Sequence, residues 1–173
     1  MQEMTTDHRL RARWAQREVP LIDAIIFADG RIVIVRSATI SDGTQIRTTV
    51  TRIADTSLAS VLSARPDPWF EVEPLYTLPD PTNNICYRAG GGDMGNEGFV
   101  SAEILCSGHL LWVATFNQSN PFEALTLEGR VLKATNNLDE DWIFPLLDPT
   151  HIRIERPDWN RRKASSSASL QRS

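Results

Sequence analysis

The sequence predicts a mainly β domain of the α+β kind: antiparallel meander sheets forming a sandwich or a partly open barrel, with one or two short helices. Three observations predict it. Short runs rich in Ile, Val, Thr and aromatics recur with period-two alternation, Asp-Gly, Ser-Gly and Glu-Gly pairs punctuate them, and helical spacing is confined to two short stretches. With 173 residues and 41% hydrophobic content, a single core is expected. The expected organisation is an N-terminal arm or short helix at 1–18, one β-rich globular domain at 19–159, and a disordered tail, basic and serine-rich, at 160–173.

Each element has its own signal. Leu10 and Trp14, four apart, give an N-terminal helix one apolar stripe. Residues 20–54 hold three apolar runs separated by Asp29-Gly30 and Asp42-Gly43, which predicts a meander; its polar third strand suits a wet face or a sheet edge. In DTSLASVLSA, residues 55–64, Leu58, Val61 and Leu62 recur at helical spacing, with Asp55 or Thr56 as N-cap and RPDP as the stop. Alternation resumes in WFEVEPLYTL, residues 69–78, where Pro74 implies an edge or a bend. RAGGGDMGNEGF, residues 88–99, contains five of the nine glycines and reads as a long mobile connection. GFVSAEILCSGHLLWVATFN, residues 98–117, is apolar on both faces and predicts a central hairpin turning at Ser107-Gly108, which sets Glu103 opposite Trp112. A second hairpin is expected at Glu128-Gly129, pairing Leu125 with Leu132, and a last strand in HIRIE, residues 151–155. About nine strands result.

Charge and composition restrict the chemistry. From Arg65 to Pro149 four basic residues accompany thirteen acids, a net of −9, whereas the remaining segments carry fourteen basic and nine acidic residues, a net of +5. A nucleic-acid binder needs the opposite sign in its body, so a basic protein partner fits better and no nucleic acid is expected. MQEMTTDHRLRARWAQRE lacks the apolar core of a secretory signal, and no run approaches the roughly 18 to 20 apolar residues that span a bilayer, so a cytoplasmic protein with no membrane contact is expected. Cys86 and Cys106 form no metal-ligand pattern and are expected as buried thiols. The glycine-rich stretch has no P-loop lysine, Asp93, Asn96 and Glu97 lack EF-hand spacing, and His8, His109 and His151 accompany no G-x-S-x-G elbow. Neither a cofactor, a metal nor a catalytic group is therefore expected. Glu103, on a mostly apolar face, should have a raised pKa unless an arginine meets it in a structural ion pair. Of the five tryptophans, Trp112 is expected in the core, while Trp14, Trp69, Trp142 and Trp159 close its ends.

GHLLWVATFNQSNPFEALTLEGRVLKATNNLDEDWIFPL carries a further pattern. Trp112, Ala114 and Phe116 form W-x-A-x-F; Ser119, Asn120, Pro121 and Phe122 form a turn; a hairpin follows; and Trp142 to Pro145 make a short apolar segment closed by proline. This stretch resembles the C-terminal half of small immunity proteins encoded beside bacterial polymorphic or contact-dependent growth inhibition toxins, over about 40 of 173 residues. The resemblance implies a non-catalytic protein that binds and neutralises a cognate toxin domain, such as a nuclease with a basic cleft. On that basis Asp139, Glu140 and Asp141 are expected in an exposed, partner-binding loop with Trp142 as its anchor or pin, and Asp93, Glu97, Glu71 and Glu73 are expected to add to the docking surface. The alternatives are a carbohydrate-binding or scaffold β-sandwich whose tryptophans stack on sugars, and an enzyme using acids in a barrel cavity.

Overall fold

Leu10 and Trp14 are the buried positions of helix α1 (Thr6–Trp14). The structure, a computed structural model, describes residues 6–41, 43 and 46–156. A short strand β1 (Glu18–Pro20) follows α1, then the expected meander of β2 (Ala24–Phe27), β3 (Arg31–Ser41) and β4 (Ile46–Ser57). After helix α2 (Leu58–Ala64) come β5 (Trp69–Asp80), β6 (Ile85–Gly92), β7 (Gly98–Ile104) and β8 (Leu110–Phe116). Four shorter strands complete the described chain: β9 (Phe122–Glu128), β10 (Val131–Asn136), β11 (Asp141–Pro145) and β12 (Arg153–Glu155).

All pairings are antiparallel. The first eight strands form one curled half-barrel in the order β1-β5-β6-β7-β8-β2-β3-β4, and the last four form a small sheet, β12-β11-β10-β9. The small sheet bridges the mouth of the half-barrel, with β9 against β5 and β6 and β12 against β4. Side chains of both sheets fill the space between them, among them Val100, Trp112, Phe116, Phe122, Leu132, Trp142 and Phe144. Trp142 centres this layer: its ring lies 4.6 Å from Phe116 and 5.4 Å from Phe122, separations at which aromatic pairs attract beyond their buried area. The outer face of the large sheet carries a second apolar layer, where Leu10, Trp14 and Leu58 of the helices cover Val19, Ile26, Val72 and Phe99. The strands β7 and β8 are therefore central and covered on both faces, as their continuous apolar runs predict.

Several local expectations are corrected. Ser107-Gly108 does not make a two-residue turn; Gly108 N–H donates to Ile104 O, and a bulge sets Ala102 opposite Trp112 and Glu103 opposite Leu110. That shift turns Glu103 to the helix-covered face, away from Trp112. In the next hairpin Glu128 pairs with Val131, so the loop is Gly129-Arg130 and Leu132 faces Leu127 rather than Leu125. The α2 cap is Ser57, the last residue of β4, whose Oγ accepts from Ser60 N–H, and the expected caps Asp55 and Thr56 lie within the strand. Cys86 is buried but Cys106 is exposed. Burial pushes the Cys86 thiol above its ordinary pKa.

The glycine-rich stretch is also reassigned, since Gly90, Gly91 and Gly92 lie in β6 and the connection is only residues 93–97. Their smallness serves close approach. A Cβ on Gly90 would overlap the carbonyl oxygen of Glu73 beside the β5 bulge, and one on Gly98 would overlap Ser119 Oγ and the Asn120 carbonyl oxygen. The expected tail at 160–173 and Trp159 lie outside the described residues.

Candidate functional site

Three chain reversals meet at one end of the molecule: residues 93–97 between β6 and β7, 117–121 between β8 and β9, and 137–140 between β10 and β11. Backbone bonds join them. Asn120 N–H donates to Asn96 O at 2.9 Å, and Asn137 N–H donates to Pro121 O at 3.1 Å. The middle loop is tied downward as well, because Asn117 N–H donates to Asp23 Oδ1 at 2.6 Å. Gly98 admits the 119–122 segment, including the Ser-Asn-Pro-Phe turn, against the sheet. Beside this rim run Glu71 and Glu73 of β5, with Val72 paired to Gly92 at the start of the 93–97 reversal.

The 137–140 reversal is organised from beneath by Asn136. Its Oδ1 accepts the N–H groups of Leu138 and Glu140, at 3.0 and 2.9 Å, while its Nδ2 donates to Ser119 O and to Glu140 Oε2, at 2.7 and 3.0 Å. Asparagine suits this work because one short side chain offers both a donor and an acceptor. Asp139 takes φ +62°, a left-handed conformation that Asp tolerates better than most residues.

Glu140 overturns the expectation of three exposed acids. Its carboxylate is 5% exposed; Oε1 accepts from Arg156 Nε at 2.8 Å, Arg156 Nη2 at 2.6 Å and Thr48 Oγ1 at 3.1 Å. Burial alone would raise its pKa, but the bonds from Arg156, Asn136 and Thr48 together outweigh burial and hold it below the usual glutamate range. Asp141 is half-buried and accepts from Thr135 Oγ1 at 2.6 Å. Trp142 is buried between the sheets, as the pin rather than a surface anchor. Of the other acids singled out, Asp93, Glu71 and Glu73 are exposed, whereas Glu97 is buried.

Two apolar side chains missed from the sequence complete the rim: Met94, 71% exposed, and Leu138, 60% exposed, each one residue from an exposed aspartate. An isolated Met or Leu in a polar loop carries no sequence signal, although the Asn136 turn does, in NNLDED.

Other candidate groups lie elsewhere. Glu103, 1% exposed, accepts from Arg17 Nη1 at 2.9 Å and Arg88 Nε at 3.0 Å, which is the structural ion pair expected of it. His8 and His109 are exposed, and exposed His151 sits 2.9 Å from Asp148. Among the described residues no cluster of three His, Cys, Asp or Glu side chains has metal-ligating geometry. Trp14, Trp112 and Trp142 are in the core and Trp69 is half-buried under Arg13. No helix among the described residues is long and apolar enough to cross a membrane. No protein-family model, curated protein or solved structure matches this chain.

Proposed function

We propose that this chain is a non-catalytic binding protein of the immunity type, which neutralises a basic cognate toxin domain by docking it on the rim of residues 93–97, 117–121 and 137–140. The observation that carries the reading is the pairing of exposed apolar Met94 and Leu138 with exposed Asp93 and Asp139 on reversals joined by backbone hydrogen bonds and, at 137–140, braced from beneath by Asn136. Apolar side chains desolvate on contact and supply affinity, while carboxylates around them select a cationic surface and speed encounter. Bracing matters because a surface that is already ordered loses little conformational entropy on binding. Glu71 and Glu73 extend the negative flank of this rim.

The sugar-binding alternative draws less support, since it requires several tryptophan rings on an open face and the four described ones are buried or half-buried. Co-expression with the product of the upstream neighbouring gene, followed by pull-down and calorimetry, tests the proposal. The expected result is a complex of nanomolar affinity that Met94→Asp combined with Leu138→Asp weakens by about a hundredfold or more. Capture that survives both substitutions unchanged removes the rim from consideration.

A further inference from the structure

Glu97, Glu103 and Glu140 are the buried glutamates among the described residues, at 2%, 1% and 5% exposure. Two of the three are neutralised by arginine from distant parts of the chain, Glu103 by Arg17 and Arg88 and Glu140 by Arg156. The third is not. Glu97 forms no ion pair with a described residue, and its Oε2 is buried with no hydrogen-bond partner among them. Its surroundings are close-packed: a Cβ built on Gly92 would lie 3.3 Å from Glu97 Cβ and 2.8 Å from the Phe70 ring, so the stem of Glu97 and the ring both crowd that glycine. A carboxylate shielded from water gains far more from a cation than an exposed one does.

We infer that Glu97 is the receptor for a guanidinium group supplied by the docked partner, an inference that rests on the rim being the docking surface. Guanidinium is the fitting class because its planar donors satisfy both oxygens of a carboxylate, and because this molecule itself uses arginine for its other two buried glutamates. Glu97 closes the reversal whose exposed tip is Asp93, Met94 and Gly95, and Gly95 at φ +85° gives that tip its sharp turn. Binding removes an unmet acceptor as well as adding an attraction, which makes Glu97 selective for arginine over an uncharged side chain.

Two measurements on the full chain test this. Thermal unfolding of Glu97→Gln, Glu103→Gln and Glu140→Gln should lower Tm by several degrees for the latter two, and leave it unchanged or higher for Glu97→Gln, which removes an unneutralised charge at equal size. A fall in Tm for Glu97→Gln matching the others overturns the proposal, because Glu97 then has its cation within the free protein. Titration of 15N-labelled protein with methylguanidinium should produce saturable shifts in the amides of residues 92–98, lost in Glu97→Gln and retained in Asp93→Asn. Absence of saturable shifts, or equal shifts in Glu97→Gln, also overturns it. Neither readout uses the toxin, so failure of the rim reading, seen as capture indifferent to Met94 and Leu138, is separable from failure at Glu97.

Discussion

Glu140 ties three segments that are far apart in sequence: Thr48 of β4, Asn136 of β10 and Arg156 beyond β12 all donate to its carboxylate. Glu140→Gln keeps the shape and removes the charge that Arg156 needs. Arg156 is 40% exposed and recovers part of its solvation, so the expected loss at neutral pH is about 1–3 kcal/mol, read from urea midpoints. The pH dependence has a definite sign. A carboxylate whose pKa is depressed by folding stabilises fully above its unfolded value and loses that contribution as pH falls through the folded value. The stability gap between wild type and Glu140→Gln should therefore hold at pH 7 and shrink below about pH 4.5, where the unfolded glutamate takes up its proton. A gap independent of pH contradicts this account. Trp142→Ala should be more damaging, at about 3–5 kcal/mol, because a large ring is lost from between Phe116 and Phe122.

Among the elements, the close approach of β5 to β6 and of the 119–122 segment to β7 makes two glycines irreplaceable. Gly90→Ala and Gly98→Ala each drive a Cβ into backbone or into the Ser119–Asn120 pair, and each should destabilise by about 3 kcal/mol or more, measured by chemical denaturation. Gly95→Ala meets open space and only strains φ, so about 1 kcal/mol is expected. These residues also show where sequence reading stops. The meander, the α2 helix and the double-sided burial of β7 and β8 were legible, because period and turn chemistry are local properties. Register was not: Ser107-Gly108 and Glu128-Gly129 signal a reversal, yet the bulge at Ala102 and the shift to Gly129-Arg130 are decided by packing across the sheets. Glycine density reads as a loop for the same reason, since nothing local reveals that Glu73, Pro121 and Phe70 crowd Gly90, Gly91 and Gly92. At the rim, the acids were visible in the sequence, but their burial was not. Whether an acid in a run faces water or an arginine more than a dozen residues away, as Glu140 and Arg156 do, is set by tertiary structure.

Across the whole molecule, the charge asymmetry has an internal use as well as an external one. Arg17 and Arg156, from the basic flanks, pair with Glu103 and Glu140 of the acidic middle, and Glu71, Glu73 and Asp93 stand exposed at the rim. If the rim steers a basic partner, raising ionic strength from about 0.05 to 0.3 M should slow association by about tenfold while changing dissociation little, as stopped-flow mixing can measure. Removal of residues 1–17 deletes Leu10, Trp14 and Arg17 together, strips the cover from Val72 and Phe99, and is expected to abolish cooperative unfolding. The strand order adds a constraint of another kind. Because β2 lies beside β8, residues 24–27 find their neighbour at 112–115, and β1 waits for β5. On a ribosome the first third of this protein would emerge with an unsatisfied strand edge and no second half to zip onto. Two fragments divided near residue 65 should accordingly be unable to fold alone yet reassemble when mixed, a property useful for reporting proximity in cells.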